Sequence, residues 1–125
     1  MKRVIQTSKA PDAVGPYSQA VEINGILFIS GQIALEPASG KMVGHTIAEQ
    51  TDQVMKNVVA VLEAAGYRPG DVVKTTCYLS DMSDFAGMNE VYSRYYPENP
   101  PARAAFAVKE LPKGALVEVE AIAIQ

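Results

Sequence analysis

The chain has 125 residues, a formal net charge of -3 and a single cysteine, with a sequence pI near 5.1. That length predicts one domain spanning residues 1–125, able to bury roughly two-thirds of its unfolded surface without a metal or disulfide staple. The acidic balance and scattered Lys and Arg weigh against general affinity for nucleic-acid phosphates or anionic membranes, and a cysteine that cannot close an internal disulfide points to a reducing cytoplasm. No apolar h-region follows Met1-Lys2-Arg3, and no apolar run approaches the ~18 residues of a membrane span, so neither a signal peptide nor a transmembrane segment is expected.

Val4 to Thr7 reads as a short strand, and Ser8 to Pro16, with Pro11, Gly15 and Pro16, as a loop. Tyr17 to Ile23 alternates as a strand. Asn24-Gly25 is a hairpin signal because both residues tolerate positive φ. It leads into Ile26 to Ile33, apolar on both faces until Ser30-Gly31, where a glycine marks either a bulge or close approach of a ligand or another backbone. Glu36 to Gly44 is a second loop. Thr46-Ile47-Ala48-Glu49 has the spacing of a capping box and predicts a helix with Ile47, Val54, Val58, Val61, Leu62 and Ala65 on one stripe, ended by Gly66 and Pro69.

Val72 to Leu79, rich in β-branched residues, predicts a strand, and Asp81 to Asp84 the turn after it. Phe85, Met88, Tyr92, Tyr95 and Tyr96 mark a second helix, ended by Pro97 and Pro100. The last two apolar runs, Pro100 to Val108 and Leu116 to Ile124, read as strands joined through Lys109 to Ala115 in an antiparallel hairpin. Their charges need a reason, since buried Arg103, Glu118 and Glu120 are costly unless paired. Arg103 shares a face with Ala105 and Ala107, while both glutamates share one with Leu116, Ile122 and Ile124. A structural ion pair, an exposed sheet edge and a functional site are the available readings.

Two helices cover only one face of a sheet of about six strands, yet several strands offer apolar side chains to both. A barrel closed on itself or another subunit must cover the second face, and oligomerisation is favoured because no helix is spare. The lone His45, beside a glycine-rich loop, reads as an exposed loop residue rather than a metal ligand or triad member. Cys77 reads as a small buried hydrophobe. Tyr92, Tyr95 and Tyr96, at helical spacing without basic neighbours, read as core or interface rather than base-stacking residues. No glycine pattern matches a phosphate-binding loop.

The segments Pro101-Ala102-Arg103-Ala104-Ala105-Phe106, Leu111-Pro112-Lys113-Gly114 and Val117-Glu118-Val119-Glu120-Ala121 resemble the C-terminal signature of the RidA (YjgF) family of reactive intermediate deaminases. Gly15-Pro16-Tyr17-Ser18-Gln19-Ala20, Ile29-Ser30-Gly31-Gln32-Ile33, Ala64-Ala65-Gly66 with Val73-Lys74-Thr75-Thr76, and Phe85 to Asn89 are similar to the family's other hallmark stretches. The resemblance implies a chorismate-mutase-like α+β fold, with a mixed sheet of about six strands and two helices on one face. It further implies a homotrimer with a central β-barrel and clefts between subunits. The implied activity is hydrolysis of 2-imino or enamino acids, left by pyridoxal-phosphate enzymes, to 2-keto acids and ammonia, with no cofactor or metal of its own. By position, Arg103 would hold the substrate carboxylate and Glu118 the attacking water, while Tyr17, Ser30, Gly31 and Asn89 would line the cleft. Ala105 replaces a cysteine found in part of the family, which excludes thiol chemistry there, and Pro100 stands where an aromatic residue is common. An endoribonuclease or translation inhibitor, and a non-catalytic carboxylate-binding sensor or chaperone-like trimer, are the alternative readings.

Overall fold

The computed structural model describes all residues from Met1 to Gln125. Six strands, β1 (Arg3–Ile5), β2 (Ala20–Ile23), β3 (Ile26–Gln32), β4 (Val72–Leu79), β5 (Ala102–Ala107) and β6 (Val117–Ile124), form one sheet in the order β1-β2-β3-β6-β4-β5. Helices α1 (Ile47–Ala65) and α2 (Phe85–Tyr95) complete an α+β fold. Local chemistry sets most boundaries. Asn24 and Gly25 take φ of 52° and 75° at the β2–β3 turn, as a tight hairpin requires. Thr46 and Glu49 form the capping box at the start of α1, and Gly66, at φ 83°, closes its far end. There the amides of Gly66 and Tyr67 donate to the carbonyls of Glu63 and Leu62, which satisfies groups the helix leaves unpaired.

The expected hairpin between the last two strands is not formed. β4 lies between them, pairing in parallel with β5 and antiparallel with β6. Pro112 and Gly114 do turn the chain, but the turn carries it past β4 rather than back onto β5. Alternation marks a strand and its faces, whereas the choice of neighbour rests on contacts distant in sequence.

The sheet has two unlike faces. Leu27, Ile29, Cys77, Val117, Val119, Ala121 and Ala123 are buried beneath α1 and α2, joined there by Val54, Val58, Val61, Leu62 and Met88. Full burial of each large side chain contributes about 1.5–3 kcal/mol, so this single layer is the main source of stability. The opposite face has no helix. Phe28 is 46% exposed, Phe106 46% and Ile124 47%, and no helix of the chain is long and apolar enough to cross a membrane. The expected shortage of cover for the second face is therefore present in the protomer.

Candidate active site

Two clefts, one against each face of the sheet, contain the residues singled out from the sequence. The first, of about 510 Å³, is lined by Tyr17, Ser30, Gly31 and Glu118, together with Gln32, Lys113 and the loop residues Pro11, Asp12 and Val14. β3 and β6 lose register between Ile29 and Gln32, so Ser30-Gly31 is a bulge, one of the two possibilities open in the sequence. What approaches the glycine is neither ligand nor backbone but a side chain: the Glu118 carboxylate lies against Gly31, in space that a Cβ at that position would fill. Ser30 Oγ donates to the Ser18 carbonyl at 2.6 Å. The half-exposed Tyr17 accepts at its hydroxyl from the Val14 amide at 3.3 Å.

Glu118 is half-buried and accepts no hydrogen bond from the chain. Burial first, and the nearby Glu120 charge second, push its carboxyl pKa above the usual carboxylate range, because both disfavour the ionised form. Glu120 is differently placed. It is exposed and accepts from the Tyr78 hydroxyl at 3.1 Å.

The second cleft, of about 430 Å³, contains Asn89 and Arg103 with Tyr92, Ser93, Tyr96, Pro100 and Pro101. Arg103 Cζ stands over the Tyr92 ring at 4.9 Å from its centroid and over Phe85 at 5.6 Å. The ion pairs of the chain join Arg3 to Glu22, Lys56 to Asp52 and Arg94 to Glu90. Arg103 belongs to none of them. A half-buried guanidinium resting on aromatic faces has its in-plane donors available to an anion.

Arg103 and Glu118 do not meet in one protomer. Arg103 is registered with Thr75, and Thr75 with Ala121, on the helix-covered face, whereas Glu118 alternates with buried Val117 and Val119 and so points to the other. The intramolecular ion pair considered for these charges is absent, and each cleft carries part of the expected set.

Several contributors to these clefts were missed in the sequence. Gln19, only 3% exposed, accepts from the Thr7 amide at 2.7 Å and donates to the carbonyls of Thr7 and Pro11 at 3.0 and 2.8 Å. It ties down the loop that carries Asp12, Val14 and Tyr17. A polar residue opening an apolar strand was the available signal. Lys113 reaches the first cleft from a left-handed backbone, φ 57°, which nothing in the sequence foretold. Of the core and interface readings for Tyr92, its burial supports core, but its ring also carries Arg103.

His45 is exposed and its amide donates to Glu49 at 3.0 Å. Cys77 is buried, and burial pushes its thiol pKa up to about 11, the opposite of what a thiolate nucleophile needs. No group of three or more His, Cys, Asp and Glu side chains is placed to hold a metal ion.

This is a small α+β protein with a partly open sheet and with acid and guanidinium clefts on opposite faces. The chain belongs to the RidA (YjgF) family: residues 7–125 match the family described as endoribonuclease L-PSP. It is 50% identical to the human 2-iminobutanoate/2-iminopropanoate deaminase over 125 residues, covering 100% of this chain and 91% of the human one. A RutC family protein of Pyrococcus horikoshii is 54% identical, with 98% of each chain covered. Among solved structures, RidA from an Antarctic Psychrobacter superposes with a TM-score of 0.95 at 46% identity, covering 98% of this chain and 99% of that one. Escherichia coli TdcF with bound serine gives 0.94 at 37% identity, with 98% of each chain covered.

Proposed function

We propose that this protein is an imine/enamine deaminase that hydrolyses 2-iminobutanoate and 2-iminopropanoate to the 2-keto acids and ammonia, at sites shared between subunits of a homotrimer. The observation that carries the reading is the separation of Arg103 from Glu118. A guanidinium with no acidic partner and a carboxyl with a raised pKa occupy opposite faces of one protomer, so a neighbouring copy can bring the two around one small acid. The deaminases at about 50% identity over the full chain supply the reaction class. The uncovered apolar strands support the assembly.

In this arrangement Arg103 of the partner subunit binds both carboxylate oxygens of the substrate through its planar fork. Tyr17 and Ser30, with Asn89 from the same subunit as that arginine, surround the remainder. Glu118 holds water against the imine carbon. Water oxygen adds to that carbon as the C=N π pair moves to nitrogen, and Glu118 accepts the water proton. It returns that proton to nitrogen to give the carbinolamine, then takes the hydroxyl proton and passes it to nitrogen as the C=O bond forms and the C–N bond breaks, so that ammonia leaves. The carbon is electrophilic from the start, so orientation and proton transfer supply the catalysis. A carboxyl with a raised pKa is better matched to receive and return a proton near neutral pH.

The test follows decay of 2-iminobutyrate freshly generated by a threonine dehydratase, with labelled RNA offered in parallel. Acceleration of imine decay with no RNA cleavage is expected. RNA cleavage without imine turnover would replace the proposal with the endoribonuclease reading, and 2-oxobutyrate binding without either activity would favour a sensor.

A further inference from the structure

Arg103 is held more closely than charge alone would require. An arginine on a sheet-edge strand, with no carboxylate to fix it, has many rotamers available, and a fork that binds two oxygens is useful only in one orientation. Two rings of α2 restrict it: Cζ lies 4.9 Å from the centroid of Tyr92 and 5.6 Å from that of Phe85. Tyr92 is itself fixed, because its hydroxyl and Thr75 Oγ1 are 2.7 Å apart and both residues are buried. Thr75 is also the cross-strand partner of Arg103 in the parallel β4–β5 pair. The same pair of strands thus places the arginine backbone and pins the ring beneath its head group. A buried tyrosine hydroxyl needs some partner, but that need does not explain why the partner is registered opposite Arg103.

The geometry points to Thr75 and Tyr92, with Phe85 beside them, as positioning residues that orient the Arg103 fork toward the ligand carboxylate. This rests on the reading of Arg103 as the carboxylate anchor. The rings lie against the guanidinium carbon, and none of its N–H donors is engaged within the chain, so these remain for the substrate. Thr75 and Tyr92 act through Arg103 and need touch no reacting atom.

The experiment compares Thr75→Val, Tyr92→Phe and the double variant. Each single change leaves a buried hydroxyl unpartnered and lowers the melting temperature, while the double change removes both hydroxyls and recovers most of it. The Kd for 2-oxobutyrate and the KM for 2-iminobutyrate should rise about three- to ten-fold in all three variants, with kcat less affected, as expected for a weakened cation–π contact. The Arg103 Nε–Hε NMR resonance, displaced by ring currents, should move toward its unstructured position in the same three. Recovery of Kd and KM along with melting temperature in the double variant would show the hydroxyl pair to be purely structural and overturn the proposal. If the parent protein neither binds 2-oxobutyrate nor hydrolyses the imine, the deaminase reading fails separately, and the Arg103 resonance still decides: unmoved in the variants, it overturns the positioning role; displaced, it supports it.

Discussion

A Cβ added at position 31 would overlap Oε2 of Glu118 and lie 2.9 Å from its Cδ. The group displaced is the end of a flexible side chain, so Gly31→Ala should keep its fold while the carboxylate swings away from the cleft. Imine hydrolysis should fall by about 10²-fold or more, as when a general acid or base is lost, with little change in melting temperature. Turnover at the parental rate would show that the observed Glu118 pose is not the working one. A second expectation concerns protonation. Burial and Glu120 raise the Glu118 pKa in the protomer, so its contribution to stability is complete below its unfolded value of about 4.3 and is lost as pH rises through the folded value. An approaching guanidinium from the partner subunit opposes that shift. In Arg103→Ala the Glu118 pKa, followed by carboxyl-carbon NMR, should therefore lie above the parental value, and the variant's stability deficit should grow from pH 4 to pH 7. Identical titrations in parent and variant would mean that the two groups do not share a cleft.

The helices are joined by a contact that tests whether α2 is a firm platform for Arg103. The Tyr95 hydroxyl donates to Asp52 Oδ1 at 2.7 Å and also meets the Asp52 carbonyl at 3.3 Å. That bond first, assisted by Lys56, holds the Asp52 carboxyl below the usual carboxylate range against an opposing desolvation. The Asp52 side chain is 43% exposed, so a charge-assisted bond is reduced by solvent to about 1 kcal/mol. Tyr95→Phe should cost that much at pH 7. Because the folded pKa is depressed, the contribution is present above the unfolded value of about 3.9 and disappears as pH falls through the folded one. Denaturant melts at pH 7 and pH 2.5 measure it; equal losses at both would assign the effect to packing rather than to the ionised bond. The fate of the C-terminal strands shows what such tertiary contacts decide. Ala102 to Ala107 and Val117 to Ile124 are strands as read from the sequence, yet β4 separates them.

The proposed sharing of sites makes a prediction that no single-subunit enzyme would meet. Arg103→Ala and Glu118→Gln homotrimers should each be nearly inactive. Unfolded together in equal amounts and refolded, they should form mixed trimers in which about one cleft in four pairs an intact Arg103 with an intact Glu118, if subunits assort randomly around the threefold. Recovery of about a quarter of parental activity is expected, with light scattering confirming trimers. A mixture as inactive as its components would place both residues in one chain's site and remove the inter-subunit arrangement.

The capping-box helix, the Asn24-Gly25 turn, each strand to within a few residues and the face of its own strand on which each charge lies were legible in the order of the amino acids alone. These follow from local stereochemistry and from periods of 3.6 and 2. The sequence also carried the family resemblance, and with it the residues expected in the clefts. The tertiary structure decided the neighbours: that β4 enters between β5 and β6, that Glu118 rests on Gly31, that Gln19 holds the loop bearing Tyr17, and that Tyr92 lies beneath Arg103. Each joins residues far apart along the chain, where no local pattern records the partner. The separation of Arg103 from Glu118 has the same origin, because parity assigns a side chain to a face of its own strand, whereas only the assembled sheet relates that face to those of other strands.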